Sequence, residues 1–328
     1  MERSGARRYF LGFLAALLLW IGFAAVYAQD FPVRPVKVIV PGPPAGSTDY
    51  IGRLIAQKLS ERWSQPVTVE NIAGASGTIG TRALKNAAPD GYTIGVGHLG
   101  THGIVPNLHN PPPYDVLRDF APITLMGNNW DILVVSSSVQ AKTVAELVSM
   151  ARAQPGALLY GSVGIGQPQH FLGYLLTRSA AVSMTHVPYK GSAPALTDLL
   201  AARIPLMFVS AGAVVPFLKD GKLRALAITA PKRSPILPDV PTFTEIGMPD
   251  LELMTWFGML APAKTSPQVV AKVSGDIAQI LALPDIRSKL AAQFFDPVGT
   301  APEQFSVFLE KEASRWRAIV KESGVRAE

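Results

Sequence analysis

The chain contains no cysteine. That excludes a disulfide framework, a thiolate zinc site and a thiol nucleophile. It also lacks a G-x-S-x-G elbow, an H-E-x-x-H pair and a G-x-x-x-x-G-K-[ST] run, so the recognisable signatures of a serine hydrolase, a zincin and a P-loop ATPase are missing. Charge is sparse, with Asp, Glu, Lys and Arg making up 16% of residues, and the 30 basic against 24 acidic side chains give a formal +6. The basic residues are scattered and form no stripe with interleaved aromatics, so nucleic acid is not an expected partner. A mildly positive surface favours anionic ligands only weakly. Of five histidines, His98 and His102 are four apart, but they lie in a glycine-rich segment with no carboxylate to complete a ligand set. No metal or other cofactor is expected. No nucleophile and base are recognisably brought together, which leaves a periplasmic hydrolase or transferase as a minor alternative and makes a non-enzyme the expectation.

Long apolar runs are scarce too. The one present, Phe10 to Val26, follows Arg3, Arg7 and Arg8 and ends in Val26-Tyr27-Ala28. Positive end, apolar middle and small residues at the cleavage positions describe a secretory signal peptide over 1–28, cut after Ala28. An uncleaved anchor is the alternative, with the run at the low edge of what crosses a bilayer. Removing three arginines and Glu2 leaves the mature chain at +4. Export without cysteine fits a bacterial periplasm. The remaining 300 residues exceed the usual size of a single core, so two domains are expected.

What is abundant is glycine and proline, 28 of each, set into a repeated order of strand, glycine-rich turn and helix. Strands are expected at 36–40, 66–70 and 92–96, with helices near 49–62 and 79–87. After a proline-rich excursion over 106–122, the order resumes. Strands are expected at 132–135, 158–160, 182–187, 204–209 and 225–229. Helices are expected at 143–153, 170–178 and 193–202, the first opened by Thr143 and Glu146 at capping-box spacing. The segment 253–262, LMTWFGMLAP, reads as a strand returning to the first unit. Helices with proline at their first position follow at 267–281, 284–293 and 302–321. Alternation of this kind predicts an α/β fold with mostly parallel sheets and flanking helices.

Four loops share one construction: 41–49, 71–80, 161–170 and 189–194. Each follows a strand, carries Gly, Ser or Thr, and leads into a helix. Free amides at helix starts suit a carboxylate or phosphate, and the carboxyl ends of parallel strands are where an open sheet binds ligands. A turn-building role alone is the alternative for any one loop. Gly95 to Gly100 matches G-x-G-x-x-G, but Pro106 and Pro111 follow too soon for the helix a dinucleotide site needs. His170 stands at a helix start, suited to bracing a loop or facing a ligand. His186 precedes Val187-Pro188 and reads as structural. Asp49 reads either as a cap that pins the first loop or as a ligand contact.

At these loops the sequence resembles the tripartite tricarboxylate transporter substrate-binding receptors, the Bug family of periplasmic receptors. The ordered landmarks are VKVIVPGPPAGSTD, QPVTVENIAGASGTIG, APDGYTIGVG, YDVLRDFAPIT, GSVGIGQPQHF, HVPYKGSAPALTDLLA, GKLRALAITAPKRSPILPDVPTFTEIG and WFGMLAPA. They span essentially the whole mature chain. The resemblance implies a two-domain periplasmic-binding-protein fold of the Venus-flytrap type, with the cleft between α/β domains. Those domains are expected at about 30–127 with 253–300, and 128–252 with 301–328. It implies a small organic carboxylate ligand, membrane permease subunits as partners and a monomeric receptor. A receptor that reports its ligand to a membrane signalling partner is the alternative use of the same pocket. The first-domain grip carries over to Ala45, Gly46, Ser47, Thr48 and Asp49, and to Gly74, Ala75, Ser76, Gly77 and Thr78. The second domain nominates Ser162, Gly166, His170, Lys190, Gly191 and Ser192.

The chain departs from the family pattern in three places. Ala45-Gly46 stands where Gly-Gly is frequent. His98 stands where many relatives have a small polar residue. Val209, followed by Ser210, stands where an aspartate is frequent. That acid meets the ammonium of amino-acid ligands, so Val209 leads to the expectation of a carboxylate without an adjacent ammonium.

Overall fold

The structure, a computed structural model, describes residues 31–327; the expected signal peptide and its cleavage point lie outside them. Apolar runs flanked by glycine or proline set the strands. Val36–Val40 (β1) pairs in parallel with Val67–Asn71 (β2) on one side and Thr93–His98 (β3) on the other. Between them run helices Ser47–Trp63 (α1) and Thr78–Lys85 (α2). The second set is also parallel: Leu159–Ser162 (β5) lies between Thr185–Pro188 (β6) and Leu206–Ser210 (β7). Here the helices are Val144–Ala153 (α3), Pro168–Ala180 (α4) and Ser192–Leu200 (α5). Thr143 opens α3 as expected by accepting the Glu146 amide, while the Glu146 carboxylate accepts the Lys142 amide.

Two strands join the sets. Phe120–Ser136 (β4) and Met254–Pro262 (β9) run antiparallel to each other, and β9 also pairs antiparallel with β3. The path through the sheet is β2-β1-β3-β9-β4-β7-β5-β6. Leu223–Ile228 (β8) and Phe295–Pro297 (β10) add antiparallel pairs to β4. The fold is thus mixed α/β, parallel in its two outer parts and antiparallel where β4 and β9 cross. β4 changes partners along its length: it pairs with β9 as far as Trp130, and with β7 and β8 from Asp131 and Ile132 onward.

Three elements differ from the sequence reading. The stretch expected to be irregular to residue 122 and stranded only over 132–135 contains the first part of β4. The polar run Gly127-Asn128-Asn129 and Pro122 conceal it, because turn formers interrupt the alternation that marks a strand. Helix Ala211–Lys219 (α6) holds Pro216 inside it, a residue that ordinarily argues against a helix. β10 is three residues long, too short for any periodic signal.

The carboxyl-terminal helices are Pro267–Ala282 (α7), Pro284–Ala292 (α8) and Pro302–Ser323 (α9). The first two start where the sequence reading put them, as does α9, with proline in the first turn of each. One face of α9 is buried through Phe305, Leu309, Trp316 and Val320. These pack in one cluster with Leu99, Ile104 and Leu108 beyond β3 and with Phe171 and Leu172 of α4. Trp316 meets Phe171 edge to face at 5.5 Å. The last helix therefore packs against both parts of the sheet, which makes it a fastening across the crossing region. A second cluster, around Ile132, Leu199, Met207, Val209 and Val214, fills the space under α5 and α6.

Candidate functional site

The first loop enters α1 with Ala45 at φ 65°, a left-handed conformation that an alanine adopts at a cost. Gly46 takes the capping position without a side-chain cap, and the helix starts at Ser47. Asp49 is thus inside the first turn and is not the cap. Its buried carboxylate accepts the Ala45 amide at 3.0 Å, Arg53 Nε at 2.9 Å and Asn71 Nδ2 at 2.9 Å. Burial alone would raise its pKa; the bonds from Arg53, Ala45 and Asn71 outweigh it and hold the carboxyl below the usual range. Asp49 therefore braces the loop. The amides of the first turn of α1 have no partner within the helix and remain available to a ligand.

The second loop turns through four successive positive φ angles, Gly74 (123°), Ala75 (44°), Ser76 (53°) and Gly77 (93°). Such a run persists only where its surroundings fix it. Ser76 Oγ donates to the Ile165 carbonyl at 2.7 Å, and Gln167 Nε2 donates to the Ser76 carbonyl at 3.1 Å. At Gly77 a Cβ would stand 2.8 Å from the Pro41 carbonyl oxygen, so the first two loops are packed backbone to backbone. Thr78 follows at the start of α2, and its Oγ1 is buried without a hydrogen-bond partner.

On the opposite side, the third loop is held from within. Ser162 Oγ lies 2.6 Å from His186 Nε2 and accepts the Gly164 amide. The Gly166 amide donates to His170 Nδ1 at 3.3 Å. The two imidazoles stack at 3.8 Å, 7° apart, and Tyr160 stacks on His186 at 4.9 Å. Burial lowers the His170 pKa to about 4, and burial together with His170 lowers that of His186 to about 3. Both rings are neutral at physiological pH. Ser162, Gly166 and His170 hold the loop in shape. The fourth loop approaches the first: a Cβ on Gly191, whose φ is 110°, would meet Pro43 at 3.0 Å. Lys190 is exposed and Ser192 opens α5. The third and fourth loops are joined by bonds from the Tyr189 and Gly191 amides to the Ser162 and Val163 carbonyls.

The four loops therefore meet in one region, the first against the fourth and the second against the third. Residues of the crossing strand join them, and these were missed in the sequence. Asn129 Nδ2 donates to Ser47 Oγ at 3.1 Å and to Ser210 Oγ at 2.9 Å, bridging two expected site residues from opposite sides. Two residues on, Asp131 is fully buried; Gln169 Nε2 donates to its Oδ1 at 2.8 Å and Thr255 Oγ1 to its Oδ2 at 3.0 Å. The available signal was the polar run NNWD inside the apolar ITLM…ILVV.

Two expectations need correction. Val209 does not share a face with Ser210: it packs in the cluster with Ile132, Met207 and Val214, because successive strand residues point to opposite faces. Its side chain therefore says nothing about what the cleft offers an ammonium. His98 is buried beside the cleft, where its Nδ1 accepts the Gly100 amide at 3.0 Å and burial lowers its pKa to about 4. It shapes the end of β3. The segment after it forms short helical turns over Leu99–Ile104 and Val105–Leu108 rather than one long helix. An open depression of about 460 Å³ between α7 and the start of α9 shares no residue with the four loops.

Residues 51–325 match the family described as tripartite tricarboxylate transporter family receptor. Protein BugT of Bordetella pertussis (strain Tohama I) is 33% identical over 322 residues, covering 96% of this chain and 98% of that protein. Among solved structures, Rpa4515 of R. palustris with adipate superposes with a TM-score of 0.86 at 34% identity, covering 90% of this chain and 99% of that one. MatC of Rhodopseudomonas palustris with bound malate superposes at 0.82 and 34% identity, covering 88% and 100%.

Proposed function

The chain belongs to the tripartite tricarboxylate transporter receptor family, and from that premise we propose that it captures a small organic carboxylate in the periplasm and presents it to membrane permease subunits. The observation that carries this reading is the meeting of two strand-to-helix loops, 45–49 and 74–78, beside a cleft closed from the other side by 161–170 and 189–194. The first turn of α1 leaves amides without intrahelical partners, Thr78 at the start of α2 has a buried hydroxyl without a partner, and helix amino termini stabilise a negative group. No lysine or arginine of these two loops is required, so the grip is neutral hydrogen bonding, direct or through water. The relatives solved with adipate and malate support a carboxylate as the ligand class.

The two lobes, about 30–127 with 253–300 and 128–252 with 301–328, are taken to close on the ligand, with β4 and β9 as the crossing strands. Mass spectrometry on gently purified protein tests the reading. Small molecules released on denaturation should include a carboxylate, and the intact protein should begin at Gln29. A ligand with no carboxyl or other acidic group would overturn the capture reading; an intact mass that retains residues 1–28 would overturn export by cleavage.

A further inference from the structure

The cleft floor carries a surplus of hydrogen-bond acceptors, and this deepens the carboxylate reading on which it rests. In the antiparallel register Asp131 lies directly opposite Ser210, and paired residues share a face of the sheet. Asn129, two residues earlier, shares that face and ties Ser210 to Ser47. Asp131 is therefore next to the serines that bracket the cleft.

Its environment is unusual for a carboxylate. Asp131 is fully buried, and among the described residues no cationic side chain bonds to it or contributes to its electrostatics. Asp49, the other buried acid of the cleft, has Arg53. Asp131 has only two neutral donors, Gln169 and Thr255. Because Gln169 must turn its amino group toward the carboxylate, its Oε1 faces away, and that oxygen is buried without a partner. Asn129 uses one end of its amide on two serines, and the other end is likewise buried without a partner. Unmatched buried acceptors and an uncompensated carboxylate are each costly. Burial raises the Asp131 pKa to about 6, so the group is still mostly anionic at neutral pH.

We propose that Asp131, with Gln169 and Asn129, is the specificity-determining end of the cleft and reads a hydrogen-bond donor, a hydroxyl or an ammonium, carried by the ligand beside its carboxylate. An ammonium answers the charge as well as the hydrogen-bonding deficit. The expectation of a ligand without an ammonium loses the ground drawn from Val209, which packs in the apolar cluster; Asp131 stands one strand away, on the face that Ser210 shares.

Calorimetry on ligand-stripped protein tests this with two matched sets: succinate, malate and aspartate; then 3-phenylpropanoate, phenyllactate and phenylalanine. In at least one set the wild type should bind the hydroxyl or amino member about ten-fold more tightly than the unsubstituted acid. Asp131→Asn should abolish that preference, weakening the hydroxyl or amino member by about ten-fold more than the unsubstituted acid. Preference for the amino member assigns an ammonium; preference for the hydroxyl member assigns a hydroxyl. Equal binding of all members, or an equal loss for all members in Asp131→Asn, overturns the proposal and leaves Asp131 as a brace of the crossing. Binding of neither set by the wild type overturns this inference, while the carboxylate reading falls only if the small molecule released from the purified protein has no acidic group.

Discussion

Gly77 shows how a single position can hold two loops in register. Its φ of 93° and the 2.8 Å separation between a would-be Cβ and the Pro41 carbonyl oxygen leave no room for a side chain. The conformation is one that residues other than glycine adopt at a cost of about 1–3 kcal/mol, and the overlap adds to it. Gly77→Ala should therefore lower the unfolding free energy by about 2 kcal/mol and push the first two loops apart, weakening carboxylate binding by about ten-fold. Denaturant unfolding reads the first effect and calorimetry the second. Unchanged affinity in a folded Gly77→Ala protein would show that these amides do not grip the ligand. At Ala45 the sequence has already accepted such a cost: φ is 65° without a glycine, and the bond from its amide to Asp49 holds the turn.

At the scale of elements, the third loop depends on a neutral histidine pair. The unfolded chain takes up protons on His170 and His186 as the pH falls through about 6.5, whereas the folded rings resist until about 4 and 3. Their contribution to stability is complete above the unfolded value and is lost progressively as the pH falls toward the folded ones. His98 and His102, lowered to about 4 and 3, act in the same direction. Asp131 opposes them: its raised pKa of about 6 lets the folded state hold a proton that the unfolded state releases, which favours folding as the pH falls from there toward about 3.9. Thermal melts stepped from pH 7 to pH 4 should show declining stability in the wild type and a shallower decline in His186→Gln. An equally steep decline in the variant would sink the assignment. The elements themselves were largely legible. Apolar runs bounded by glycine and proline marked β1 and β9, and proline at the first helical position placed α7, α8 and α9. The positions of the four loops were legible for the same reason, since small residues between strand and helix mark tight turns. The floor was not. Asn129 and Asp131 sit in a part of β4 whose polar residues break the strand pattern, and only the register with β7 and β9 brings Ser47, Ser210, Gln169 and Thr255 to them. Long-range pairing of that kind leaves no local trace.

For the whole molecule, the two sets of loops belong to parts of the sheet that β4 and β9 connect and that α9 fastens from behind. Bonds already cross the cleft: Ser76 to the Ile165 carbonyl, and Gln167 to the Ser76 carbonyl. In the proposed receptor these bonds belong to the closed form. A ligand that touches both sides adds free energy only to this closed form and shifts the population toward it. The cross-cleft bonds contribute about 1 kcal/mol each, small enough to be reversible and large enough to set how much of the free protein is closed. Gln167→Ala removes one of them without touching the first two loops' amides. Its ligand-free form should give a larger radius of gyration by small-angle scattering than the wild type, and saturating ligand should bring both to the same compact value. Affinity should fall by about five-fold, because the ligand must now draw the closed form from a smaller population. Identical scattering from free and saturated forms of Gln167→Ala would mean that the lobes do not move, and the receptor would then have to admit its ligand by loop motion alone.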